Sequence, residues 1–128
     1  MSLQSPLNKV LGLGSAKEGS AHWWAQRLTA VGLVPLGLWF GFSLLGLPHG
    51  NYDLVAAWIA EPAHAILLIL LVFTLVYHSS LGMQVVIEDY IHVPGAKVLV
   101  LVAVQFLHVI LAVGGVYAVV LVSVGAGR

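Results

Sequence analysis

The stretch HSSLGMQVVIEDY, from His78 to Tyr90, carries an imidazole, a glycine, a carboxylate and a phenol. On a helix, Gly82 lies one turn after His78 on nearly the same face. Around the helix axis, Asp89 lies about 20° from His78. A neutral imidazole can hydrogen bond between helices or ligate haem iron, and a glycine beside it would let a flat macrocycle approach the backbone. The pattern indicates a metal ligand with hydrogen-bonding groups farther along one helix. Taken singly, the acidic and phenolic groups also fit an ordinary helix end.

The composition indicates that these residues lie in a membrane protein. Of 128 residues, 60% are hydrophobic and 8% are charged, whereas about one quarter of a soluble domain is charged. The formal net charge is +0, so no basic surface for nucleic acid is expected. Because the sequence has no cysteine, this chain can supply neither a disulfide nor a cysteine-ligated iron–sulfur cluster.

Three apolar runs predict three transmembrane helices, at about 28–47, 63–87 and 98–124. Each is long enough to cross a hydrocarbon core of roughly 30 Å. The connections between them are short, so the predicted fold is an all-α membrane protein with three helices in an up-down-up arrangement. Residues 1–27 are predicted to form an N-terminal cytoplasmic arm, and residues 28–126 a single three-helix transmembrane anchor domain.

The distribution of lysine and arginine predicts the orientation of the chain. In the up-down-up arrangement one side of the membrane carries four cations and the other carries Arg128. The four are Lys9, Lys17, Arg27 and Lys97. Because cytoplasmic segments are enriched in Lys and Arg, the N-terminus is expected inside and the C-terminus outside.

Two histidines, His78 and His108, lie well inside the predicted spans. His78 lies about 15 Å from the inner end of the second helix, near the middle of the membrane. Ionisable side chains in a span usually face protein or water, and a hydrogen bond between helices is the ordinary explanation for either histidine. The other histidines lie at or beyond the predicted membrane surfaces: His22, His49, His64 and His92.

The stretch from His78 to Tyr90 resembles the H-x-x-x-G-[MLV]-x-x-V-x-x-D-Y motif of the hydrophobic membrane-anchor subunit of succinate dehydrogenase, respiratory complex II. A weaker likeness is the segment QRLTA, in which Arg27 opens the first helix. That family also has three spans and an internal N-terminus. Length and topology agree over roughly residues 20–125, whereas the sequence likeness is concentrated in these two motifs.

The resemblance implies a role for each motif residue. His78 would be one axial ligand of a b-type haem shared with a companion cytochrome b subunit, and Gly82 would lie beside that haem. Tyr90 would donate a hydrogen bond to a carbonyl oxygen of ubiquinone, with Asp89 next to the quinone site. Arg27 would lie near a haem propionate.

The resemblance also implies a function. The chain would anchor succinate:ubiquinone oxidoreductase, which transfers electrons from succinate to quinone in the tricarboxylic acid cycle and aerobic respiration. It would have no succinate-oxidising activity alone, because the sequence carries neither a flavin motif nor a cysteine cluster. The implied partners are the flavoprotein, iron–sulfur and cytochrome b subunits and membrane lipid. The expected location is a bacterial inner membrane rather than the mitochondrial one.

Two other interpretations stay open at this point. In a di-haem cytochrome b, His64 and His78 would each hold a haem, because their spacing separates them by about 21 Å along one helix. In a cofactor-free accessory subunit, the histidines of the spans would only bind neighbouring helices. An optical spectrum separates the three interpretations, since it shows one low-spin b haem, two or none.

Overall fold

Four helices make up most of the described residues, 17–48 and 50–125, of the computed structural model. They are α1 (Lys17–Gly46), α2 (Tyr52–Ala60), α3 (Pro62–Tyr90) and α4 (Pro94–Gly125). Three of them, α1, α3 and α4, are long and apolar enough to cross a membrane. The predicted all-α class with three transmembrane helices is confirmed.

The first helix is longer than its apolar run. It begins at Lys17, so residues 17–27, which the hydropathy pattern assigns to the arm, are helical and continuous with the first span. Hydropathy reports where a chain enters hydrocarbon, whereas a helix continues into water wherever its backbone hydrogen bonds continue. Lys9, His49 and Arg128 lie outside the described residues, as does the rest of the arm.

A short helix, α2, occupies the connection between the first two spans. Asn51 caps it, because its side-chain oxygen accepts a hydrogen bond from the Leu54 N–H at 3.2 Å. Asp53 in the first turn adds a favourable charge at the positive end of the helix. Gly50 precedes the cap with a φ of 101°, which glycine adopts without steric cost. Pro62 then opens α3 at a position that needs no N–H donor.

Helix α3 packs against both α1 and α4. On its α1 side, Gln26 lies beside His78, and Gly32 lies beside Thr74. Residue numbers rise along α1 as they fall along α3, so these two helices are antiparallel.

The contact between α3 and α4 is antiparallel as well. Lys97 Nζ donates to the Glu88 carbonyl oxygen at 2.9 Å near the connection, and Gly115 meets Val72 deep in the spans. Since α3 lies antiparallel to both long neighbours, the three spans run up, down and up.

Few side chains are buried within this chain. The buried apolar side chains are Ala56, Ala65, Leu68, Leu81 and Ile87. Most large apolar residues of the spans are exposed on the surface of the isolated chain. In a membrane such a surface contacts lipid or other transmembrane helices.

Candidate functional site

His78 projects from α3 toward α1, where two polar side chains meet it. Its Nδ1 lies 2.9 Å from Thr29 Oγ1, and its Nε2 lies 3.5 Å from the Gln26 side-chain nitrogen. The ring is partly buried. Together His78, Gln26 and Thr29 form a polar cluster between two apolar spans, which we call the α1–α3 polar cluster.

Neither Gln26 nor Thr29 has a role that was predicted from the sequence. Their spacing of three residues places both on one face of α1, and that spacing was a usable signal. A contact with His78 could not be predicted from this spacing alone, because glutamine and threonine are ordinary interfacial residues at the start of a span. Only the packing of α1 on α3 selects the face that meets His78.

The α1–α3 polar cluster leaves hydrogen-bonding capacity unused in the described chain. Gln26 Oε1 and, one turn earlier, His22 Nε2 are buried without a hydrogen-bond partner there. Buried polar atoms are normally paired, because an unpaired one loses its hydration without compensation. The polar atoms around His78 therefore fit a site that is completed by a polar group from outside this chain.

Gly82 lies one turn from His78 on the same side of α3. A Cβ built on Gly82 would meet only the Gln26 side-chain nitrogen, at 3.7 Å, which is an ordinary contact. The packing of this chain alone therefore does not require glycine at position 82. The Gln26 side-chain nitrogen thus lies next to both Gly82 and the His78 ring.

His108 is more buried than His78, and one of its two ring partners is a backbone carbonyl oxygen. Its Nδ1 donates to the Val104 carbonyl oxygen at 2.7 Å. Its Nε2 then accepts from the Ser79 hydroxyl on α3 at 3.3 Å, and the side chain is buried. His108 thus makes the interhelical hydrogen bond that ordinarily explains a histidine in a span.

His64 belongs to an aromatic cluster at the other end of α3. Its ring stacks on Trp58 with centroids 4.3 Å apart, and Trp58 stacks on Trp39 at 5.7 Å. His64 Nδ1 lies 2.9 Å from the Trp58 carbonyl oxygen and 3.0 Å from a Glu61 carboxylate oxygen. This cluster joins α1, α2 and α3 where the first connection lies.

Asp89 and Tyr90 form the last turn of α3 and are exposed, Tyr90 to 79%. Tyr90 is about 18 Å along the helix from His78. Arg27 is also exposed, and its guanidinium lies 4.9 Å from the centroid of the Trp23 ring. The structure therefore brings Gly82 into the surroundings of His78, whereas the other three predicted site residues have no side-chain contact with His78 among those described.

No three His, Asp or Glu side chains of the described chain converge on one metal position. A haem needs less from a protein, because the macrocycle supplies four ligands and a side chain supplies one axial position. A single histidine can meet that need.

Comparison with known proteins places the chain in a family. A model of the family described as succinate dehydrogenase/fumarate reductase transmembrane subunit matches residues 1–112. The chain belongs to this family. The match includes α1, α2, α3 and all the predicted site residues, and it ends within α4.

Individual relatives agree with the family match. The chain is 37% identical over 111 residues to a protein of Rickettsia bellii, covering 87% of this chain and 89% of the relative. It is 29% identical over 122 residues to a protein of Paracoccus denitrificans, covering 95% and 94%. Both are named succinate dehydrogenase hydrophobic membrane anchor subunit, which confirms the resemblance seen in the sequence. No solved structure matches the chain.

Proposed function

We propose that this chain is the hydrophobic membrane-anchor subunit of a succinate:ubiquinone oxidoreductase in a bacterial inner membrane. Three long apolar helices provide the anchor, and the names of the relatives supply the assignment to succinate dehydrogenase. Succinate oxidation belongs to the flavoprotein subunit. The iron–sulfur relay belongs to the iron–sulfur subunit, because this sequence has no cysteine to ligate a cluster. A companion cytochrome b subunit completes the membrane part.

His78 holds one axial position of a b haem at the interface with the companion cytochrome b subunit, which supplies the second ligand. One contrast carries this assignment. His108 is buried, with ring partners at 2.7 and 3.3 Å, whereas His78 is only partly buried and its Nε2 has a side-chain nitrogen at 3.5 Å. The partial exposure of His78 and the lack of a side chain on the neighbouring Gly82 support the same site. Haem, when bound, supplies a one-electron carrier within the membrane.

Arg27 pairs with a haem propionate. Its guanidinium is exposed near the inner end of α1 and is held over Trp23, so it is available to an anionic group from outside the chain. Arginine suits carboxylates because its fork of N–H donors can make two parallel hydrogen bonds.

Tyr90 and Asp89 contribute to the site where ubiquinone is reduced. Within the described part of the chain no hydrogen bond engages the Tyr90 hydroxyl, and the side chain is 79% exposed. That hydroxyl donates to a quinone carbonyl oxygen, and the hydrogen bond strengthens as negative charge develops there. Asp89, the preceding residue in the same helical turn, positions its neighbours, and protons come from the aqueous phase at this surface.

The haem assignment is tested with histidine variants of the assembled, purified complex. We expect His78→Ala to remove the low-spin haem or convert it to another spin state, because its axial ligand is lost. His108→Ala is the matched control, since it deletes an intramembrane histidine of the neighbouring helix that has two partners. His64→Ala is the second control. A haem that survives His78→Ala unchanged but disappears in His108→Ala would overturn the assignment.

A further inference from the structure

Thr29 is the closest hydrogen-bonding partner of His78, and it lies on a different helix. Its Oγ1 is 2.9 Å from His78 Nδ1. The same oxygen is 2.8 Å from the carbonyl oxygen of Ala25 and 3.1 Å from that of Gln26, both on α1. A threonine hydroxyl in a helix commonly donates to these carbonyls of the preceding turn.

These distances favour one arrangement of the hydrogen atoms. A hydroxyl has one hydrogen, and a carbonyl oxygen can only accept, so Thr29 donates its hydrogen to its own backbone. The Thr29 oxygen is then an acceptor toward His78, and the ring must donate from Nδ1. A neutral imidazole carries one N–H, so Nε2 keeps its lone pair. In the described chain this lone pair faces only the Gln26 side-chain nitrogen, at 3.5 Å, and His78 would exchange that long contact for haem iron.

We propose that Thr29 is the positioning residue of His78: it fixes the Nδ1–H tautomer and the ring orientation across the α1–α3 interface, and thereby tunes the haem. This proposal rests on the proposed function, in which His78 is an axial ligand. An acceptor on the distal N–H of a ligating histidine fixes its ring and raises the basicity of the ligating nitrogen. Because the Thr29 hydrogen is engaged by α1 itself, the hydroxyl stays an acceptor.

The test uses Thr29→Val and Thr29→Ser in the assembled complex. Valine keeps the branched shape of threonine but has no acceptor, whereas serine keeps the hydroxyl oxygen. We expect the haem midpoint potential to rise in Thr29→Val, because a less basic imidazole stabilises the ferric state less. The EPR g-values of the ferric low-spin haem should also change as the ring loses its tether. Thr29→Ser should restore both properties to their wild-type values.

Thr74→Val is the matched control. Thr74 lies on the α3 side of the same interface, against Gly32 and one turn from His78, so its variant also deletes an interfacial hydroxyl. Both haem properties should stay at their wild-type values in this variant. If Thr29→Val fails to assemble, Thr29→Ala removes the same oxygen with less bulk and takes its place.

Two results would overturn the role of Thr29. One is a Thr29→Val complex whose potential and g-values equal those of the wild type. The other is a Thr29→Ser complex that changes as much as the valine variant, which would show that the hydroxyl is not the determinant. Failure of the proposed function is distinguishable, because it appears as an unchanged haem in His78→Ala whatever the Thr29 variants do.

Discussion

Histidines in the described helices divide according to what their ring nitrogens contact. His108 is satisfied within the chain by Val104 and Ser79, and it links α4 to α3. His78 is only partly buried; its Nδ1 lies 2.9 Å from Thr29 Oγ1, and its Nε2 has a longer contact, 3.5 Å, with the Gln26 side-chain nitrogen. The buried polar atom without a partner beside His78 is Gln26 Oε1. Such an atom costs about 1–3 kcal/mol, so it is best explained by a polar group from outside the chain.

At the residue scale, the sharpest prediction for the quinone site concerns Tyr90→Phe, which keeps the ring and deletes the one donor. We expect succinate-to-ubiquinone turnover to fall between several-fold and about a hundred-fold. A lost hydrogen bond costs roughly 0.5–1.5 kcal/mol, and more where charge develops, and each 1.36 kcal/mol is about tenfold in rate.

The control for Tyr90→Phe is electron transfer from succinate to a dye that accepts at the soluble subunits, which should be nearly unchanged. The haem spectrum should also persist. Normal quinone reduction in this variant would make Tyr90 only an interfacial anchor and would remove it from the quinone site.

Asp89→Asn is a separate prediction for the same turn of α3. Asparagine keeps the shape and hydrogen-bonding capacity of the side chain but removes its charge. We expect a smaller loss of quinone reduction than in Tyr90→Phe, because Asp89 is assigned to positioning rather than to the reacting oxygen. A loss in Asp89→Asn that exceeds the loss in Tyr90→Phe would contradict this assignment.

The sequence could single out His78 but not its neighbours. The spacing from His78 to Tyr90 lies on one helix, where the geometry follows from the helical repeat alone. Contact with Thr29 depends on which face of α1 packs against α3, and a sequence of apolar spans hardly specifies that face. Hydrophobic periodicity is weak when lipid and protein neighbours are both apolar.

At the scale of the elements, the approach of α4 to α3 depends on Gly115. A Cβ at this position would lie 2.8 Å from Val72 Cγ1, closer than real Cβ contacts. Val72 cannot move aside easily, because a β-branched side chain has one strongly preferred rotamer in a helix. Small residues at such contacts are typical of helix packing in membranes.

We therefore expect Gly115→Ala to destabilise the packing of α4 on α3 by about 1–3 kcal/mol, as overpacking does in other cores. The measurement is thermal or denaturant unfolding of the detergent-solubilised complex. Gly114→Ala is the matched control, because a Cβ added to this neighbouring glycine would have no atom within 4 Å.

The double variant Gly115→Ala with Val72→Ala tests whether the clash with Val72 causes the loss of stability. Shortening Val72 removes the clashing methyl groups, so part of the lost stability should return relative to the two single variants. Equal stability of the Gly115→Ala and Gly114→Ala complexes would show that this contact does not limit the approach of the helices.

The three spans were predictable because length and apolarity are set by the bilayer rather than by tertiary packing. The boundaries of the helices were less predictable, as α1 shows by beginning at Lys17. Helix α2 was not predicted as an element, although Asn51 and Asp53 are ordinary helix-start residues. Nine residues between two spans give too little periodicity to separate a short helix from a connection.

At the scale of the whole molecule, the cation distribution predicts which ends of the helices face the cytoplasm. The wild-type chain has no cysteine, so single introduced cysteines give an unambiguous label. Ala96→Cys, beside Lys97, should react with a membrane-impermeant maleimide in inverted vesicles but not in intact cells. Tyr52→Cys, at the start of α2, should show the opposite pattern. Both positions are exposed, and reversed labelling would refute the predicted orientation.

The number of haems in the assembled complex tests whether His78 is the ligand of one shared haem. In the proposed arrangement this chain supplies one haem ligand, His78, whereas His64 and His108 make structural contacts. A reduced-minus-oxidised optical spectrum of the purified complex, with haem quantified per complex, should therefore show one low-spin b haem. Two b haems would favour the di-haem arrangement through His64 and His78, and a complex without haem would make the chain a cofactor-free accessory subunit. Either result would contradict the assignment of one shared haem to His78.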